Sequence, residues 1–257
     1  MNAHIPRLRM FAGPNGSGKS TIREVIPDEW LGVYINPDEI EKMIRRDGAL
    51  SLADFAVETT AATLFDFLRA SSLLRRVGLH KAVDELRWEK QRVVFGSVAV
   101  NSYWASALSD FVRHQLLAAG TSFTFETVMS SPDKVQFLCK ARAQGFRTYL
   151  YYVATEDPAI NIERVRQRVA SGGHPVAEDK IVSRYHRSLA LLLGAVECAD
   201  RAYLFDNSGH ERLWVAEATG GQELEMKSDC MPVWFDRALW SRFGGEESGQ
   251  DTDLPTL

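Results

Sequence analysis

Gly13-Pro14-Asn15-Gly16-Ser17-Gly18-Lys19-Ser20 fits the pattern G-x-x-x-x-G-K-[ST] without a mismatch, and Thr21 follows it. Each residue type has a task at a polyphosphate. The glycines let backbone N–H groups turn around the anion, Lys19 brings charge to the β/γ end, and the Ser20 hydroxyl can ligate Mg²⁺. The flanks agree with this reading. Leu8-Arg9-Met10-Phe11 is predicted to be a short strand, and the residues from Thr21 are predicted to open a helix whose N-terminus faces the anion. Gly13 to Thr21 is therefore expected to bind a nucleoside triphosphate.

Phosphoryl transfer asks little covalent chemistry of a protein. It needs an aligned acceptor, a proton acceptor, and cations to offset charge on the moving group. Asp38 is the candidate base. It lies in Asn36-Pro37-Asp38-Glu39-Ile40, just past the apolar run Gly32-Val33-Tyr34-Ile35, so it emerges where strand ends line a ligand crevice. The same stretch also reads as a helix start, with Asn36 as N-cap, Pro37 at the first position and Glu39 completing a capping box. Asp38 could then be only a dipole-compensating acid. Glu126, at the end of the alternating run Thr121–Glu126, can hold an acceptor hydroxyl or a metal-bound water, or it can pair with an arginine. Arg164, Arg168, Arg184 and Arg187 flank Gly172-Gly173-His174, an arrangement expected for a closing lid with at least one arginine reaching the phosphates. His174 reads as ordering the hinge, with general base as a second role.

The elements that must position these groups alternate strand and helix. Arg147–Ala154 and Ala202–Phe205 complete the set of apolar runs, so the fold class is α/β, with a central mostly parallel sheet flanked by helices and a phosphate loop after its first strand. The 257 residues suit one domain, with a helical insertion over about 70–105 and a C-terminal hairpin and mobile tail over about 211–257. Ala53 to Ala70 is expected to be one amphipathic helix. Apolar residues make up 45% and charged residues 25%, which is ordinary globular composition. A net charge of −4 offers no reason to expect nucleic acid or an anionic membrane. Cys139, Cys198 and Cys230 show no C-x-x-C spacing and read as buried free thiols of a reducing compartment. With no apolar leader and no apolar run long enough to span a bilayer, a cytoplasmic location is expected.

The phosphate loop, Asn36-Pro37-Asp38-Glu39-Ile40, Phe125-Glu126-Thr127, Arg164-Val165-Arg166-Gln167-Arg168-Val169 with Gly172-Gly173-His174, and Asp206-Asn207-Ser208 together resemble the zeta-toxin family of P-loop kinases. The likeness covers about residues 7–43 and 109–210. That family phosphorylates a sugar hydroxyl of UDP-N-acetylglucosamine with ATP, and many members are toxins held by an antitoxin protein. The resemblance implies that Lys19 is the phosphate-loop lysine and Asp38 the base. Glu126 and Thr127 then fall where the acceptor binds, Arg168 and more loosely Arg184 act as lid arginines, and Asp206-Asn207 lies beside the adenine. Two departures stand near the implied acceptor pocket: the insertion around Ser71–Asn101, and Met129-Ser130-Ser131 in place of a basic residue.

The resulting expectation is a kinase using Mg²⁺ and ATP on a small hydroxyl-bearing acceptor, a nucleotide sugar among the candidates. The rival readings are a kinase of another metabolite, and a nucleotide-dependent switch acting through a protein partner.

Overall fold

Strand β1 (Arg7–Ala12) is buried from its second residue onward. Apolar side chains at successive positions, Met10-Phe11-Ala12, suit a strand covered on both faces. In the computed structural model, which describes residues 5–24, 26–173 and 175–243, β1 lies inside the main sheet, between β7 and β6. Met10 joins a large core on one face, and Phe11 packs with Ile22, Leu31 and Val153 on the other.

From β1 the chain continues through α1 (Lys19–Arg23), α2 (Asp28–Leu31), β2 (Val33–Ile35), α3 (Pro37–Asp47) and β3 (Ala49–Ser51). Next come α4 (Ala61–Ala70), α5 (Ser72–Arg76), β4 (Arg87–Glu89), β5 (Arg92–Val94), α6 (Ser102–Ala118) and β6 (Phe123–Thr127). The second half runs α7 (Pro132–Ala143), β7 (Arg147–Ala154), α8 (Pro158–Ala170), α9 (Glu178–Ala190) and α10 (Leu192–Glu197). It continues through β8 (Arg201–Asp206), β9 (Leu213–Thr219) and β10 (Glu223–Met226).

The main sheet has the order β10-β9-β8-β7-β1-β6-β2. Strands β2, β6, β1, β7 and β8 are parallel, and the β9–β10 hairpin adds antiparallel to β8. This is the mostly parallel α/β sheet expected of a P-loop fold. Parallel pairing brings the ends Ala12, Ile35, Thr127, Ala154 and Asp206 to one rim. From β1 the chain passes to β2 on one side, and β7 and β8 lie on the other. Open α/β sheets bind ligands at such a reversal.

Several expectations need correction. The segment over about 70–105 is not simply helical: β4 and β5 pair with β3 in a small antiparallel sheet. The β-branched run Arg92-Val93-Val94 favours a strand. Lys90 and Gln91, at φ 48° and 62°, make the two-residue turn that right-handed strand twist requires. The helix expected from Ala53 begins only at Ala61, where the Thr60 hydroxyl accepts from the Thr63 N–H and caps it. Cys139 and Cys198 are not free thiols but a disulfide joining α7 to the end of α10, 59 residues apart. Spacing along the chain does not reveal a pair that two packed helices bring together. Cys230 is free but exposed rather than buried. Helix α1 begins at Lys19, two residues before the expected start at Thr21, and has five residues. His174 and the tail from Gly244 lie outside the described residues. No helix among those described is long and apolar enough to cross a membrane.

The approach to β2 turns at Gly32, where φ is +62° and a Cβ would run into the Ser122 carbonyl. Gly32→Ala is expected to lower stability by about 2 kcal/mol or more. A shift of the urea midpoint at unchanged m-value would show this, and an unshifted midpoint would contradict it.

Candidate active site

The phosphate loop leaves β1 at Gly13, whose φ of +140° and close approach to the Val153 carbonyl admit no side chain. Two asparagines hold the loop from outside. Asn161, buried on α8, donates through Nδ2 to the Asn15 carbonyl at 2.6 Å, while its own Oδ1 accepts from the Thr155 hydroxyl. Asn207, just past β8, donates through Nδ2 to the Ser17 carbonyl at 2.8 Å. The Thr21 hydroxyl closes the loop on the Gly18 carbonyl at 2.7 Å. The Ser17 hydroxyl is buried without a hydrogen-bond partner among the described residues. Ser20 is exposed at the start of α1.

Lys19 turns back over the loop, donating through Nζ to the Gly13 and Pro14 carbonyls, each at 2.9 Å. Burial pushes its pKa down to about 8 against the opposing pull of Glu126 and Asp38, and Arg168 pushes it down further. Lys19, Asp38, Glu126 and Arg168 thus form one electrostatic group, although they come from four segments of the chain.

Asp38 stands in the first turn of α3. Its backbone N–H donates to Asn36 Oδ1 at 2.8 Å, so the expected N-cap forms and leaves the Asp38 carboxylate exposed. The expected capping box does not form. Glu39 instead takes Lys42 Nζ at 2.8 Å, an ion pair one turn along the same helix. Glu126, near the end of β6, has a tyrosine rather than an arginine as its hydrogen-bond partner among the described residues. Its Oε1 accepts from the Tyr34 hydroxyl of β2, two parallel strands being close enough for that contact. Burial and the Glu126 carboxylate push the Tyr34 pKa well above the usual range. The Arg23 guanidinium lies 4.6 Å from the centre of the Tyr34 ring. The Thr127 hydroxyl accepts from the Met129 N–H at 3.0 Å and shapes the turn after β6, where Met129 is buried at φ 52°.

On α8, Asn161 touches the loop, and Arg164 and Arg168 follow at the next two positions of the same face. Arg164 Nη1 is buried without a hydrogen-bond partner among the described residues. Arg184 on α9 reaches Asn15 Oδ1 at 3.4 Å, and burial together with Arg187 lowers its pKa. Arg166 joins Glu178 at 2.6 Å and staples α8 to α9, and Arg187 donates to the Ser183 carbonyl within its own helix. The Asp206 carboxylate is buried and hydrogen-bonded within the protein. It accepts from Trp234 Nε1 at 2.7 Å and from the Ser208 N–H and hydroxyl at 2.9 and 2.8 Å. It therefore holds the Asn207-Ser208 turn in place. Asn161, Tyr34 and Arg23 escape sequence reasoning. The one available signal was an asparagine between Ile160 and Ile162 on the buried face of α8.

Comparison with known proteins bears on the whole arrangement. The family model described as zeta toxin matches residues 79–217, more than half of the chain. The match takes in part of the segment read as an insertion and begins beyond the phosphate loop. An uncharacterized protein of Haemophilus influenzae is 26% identical over 175 residues, covering 68% of this chain and 89% of its own. Among solved structures, the AvrRxo1-ORF1:AvrRxo1-ORF2 complex with sulphate ions is similar over 88% of this chain at 16% identity and a TM-score of 0.48. The chain spans 62% of the length of that protein. A structure from the PezAT toxin–antitoxin system of Streptococcus pneumoniae is similar over 96% of this chain and 82% of its own, at 15% identity and a TM-score of 0.48. The extent of the family match, on a sheet of this order carrying this loop, makes the chain a member of the zeta-toxin family of P-loop kinases.

Proposed function

We propose that the protein transfers the γ-phosphate of ATP to a hydroxyl of a small acceptor, with UDP-N-acetylglucosamine as the acceptor that family membership favours. The observation that carries this reading is the meeting of the phosphate loop with the ends of β2 and β6 on one rim, from where Asp38 and Glu126 act electrostatically on Lys19. Lys19 and the backbone of Gly13 to Thr21 hold the triphosphate. Arg168 and Arg184 offset charge on the terminal phosphoryl group as the loop and α8–α9 close around it. Glu126 and Thr127 orient the acceptor. As its hydroxyl oxygen bonds to the γ-phosphorus, the bond to the β–γ bridging oxygen breaks, ADP leaves, and the hydroxyl proton passes to the Asp38 carboxylate.

The exposed Ser20 hydroxyl and the Glu126 carboxylate are oxygen donors of the hard type that suits Mg²⁺, an ion needing only one or two protein oxygens beside water and phosphate. When bound, it would screen the β- and γ-phosphate oxygens. An antitoxin protein is the partner that the family reading favours, and growth arrest on expression, relieved by such a partner, is its test.

Asp38→Asn is expected to lower kcat by about 10²- to 10⁴-fold while leaving ATP affinity nearly unchanged. Labelled ATP with UDP-N-acetylglucosamine, and in parallel with a metabolite extract, provides the assay. Full transfer by the variant would remove Asp38 from the mechanism, and a labelled product other than the UDP-sugar would change the acceptor. A variant with unchanged binding, in a protein that labels nothing, would favour the switch reading.

Lys19 also predicts a pH dependence. In the free protein it loses its proton around pH 8, whereas a bound triphosphate favours the charged form. ATP binding should therefore take up a proton above that pH, and affinity should fall as pH rises from about 8 towards 10. Calorimetry in two buffers of different ionisation enthalpy would measure the uptake at pH 9. Its absence would mean that Lys19 is already charged or does not meet the phosphates.

A further inference from the structure

We infer that Arg212 is a nucleotide-binding residue, a platform on which the base of the triphosphate stacks. The inference rests on the nucleotide reading above and extends it to the opposite end of the ligand. The group around Lys19 that would meet the terminal phosphate comes from the β2 and β6 side of β1. A nucleotide whose γ-phosphate sits there and whose other phosphates lie along the loop must direct its base to the other side, over the end of β8. That side is built by Asn207, which grips Ser17, and by Arg212, between β8 and β9.

Arg212 Nη1 donates to the Thr21 hydroxyl at 3.2 Å, which fixes the guanidinium against the end of the phosphate loop. One face of the guanidinium lies over the Phe205 ring, 5.4 Å from its centre. The residue is partly exposed. A planar cation backed by an aromatic ring and anchored at its edge is pre-organised to stack on a second planar group. A heterocyclic base is the planar group that the ligand carries at this end. None of the motifs that mark the phosphate loop or the lid includes Arg212.

The test measures binding of ATP and of inorganic tripolyphosphate, which lacks the base, to the full chain and to Arg212→Ala and Arg212→Lys. Both variants should bind ATP about tenfold more weakly. Both should bind tripolyphosphate within about twofold of the parent, with apo-protein melting unchanged. Equal losses for ATP and tripolyphosphate in Arg212→Ala, restored by Arg212→Lys, would make Arg212 a point charge on the phosphates and overturn the stacking role. Unchanged ATP binding in both variants would overturn the inference while leaving the nucleotide reading intact. A parent protein that binds neither ligand would fail that reading itself, and the inference with it.

Discussion

The grip of two asparagine amides on the phosphate loop is the interaction on which the rest of the site depends. Asn161 and Asn207 take up the Asn15 and Ser17 carbonyls. A loop whose carbonyls are tied on the outside keeps its amide dipoles for an anion within, at no cost of reorganisation when the ligand arrives. The two donors belong to segments that follow adjacent parallel strands, β7 and β8. The loop is therefore as well placed as the sheet itself. Gly13, pressed against the Val153 carbonyl, is the complementary constraint from the β1 side.

The sheet order then divides the labour. Strands β6 and β2 carry Glu126 and Asp38 to one side of the loop, while β7 and β8 carry Asn161, Asn207 and Arg212 to the other. Lys19 stands between them, desolvated by the loop around it and held towards its charged form by the two carboxylates. The same lysine meets like charge from Arg168 on α8, so its protonation state reports the electrostatic balance of the whole cluster. Bound phosphate would add the opposite charge to that balance.

The Tyr34–Glu126 bond illustrates how closely this side is knitted. Arg23, one turn beyond Lys19 on α1, lies over the ring of the tyrosine that holds Glu126. Helix α1 and strands β2 and β6 are thus joined through a single tyrosine. Across the rim, Asp206 plays a similar part from below the surface, tying Trp234 to the turn that carries Asn207.

Local pattern was enough for the phosphate loop, the Asn36 cap, the main strands and the placing of Asp38 and Glu126 at strand ends on one rim, because these signals lie within a few consecutive residues. A strand end announces itself by where an apolar run stops, and the ends of parallel strands share a rim. What tertiary structure alone decided are the partners: Tyr34 rather than an arginine for Glu126, Cys198 for Cys139, Trp234 for Asp206, and β3 for the strand at Arg92. Each of these contacts joins residues tens of positions apart, and which of several chemically suitable partners is chosen depends on the sheet order and register that pack them together.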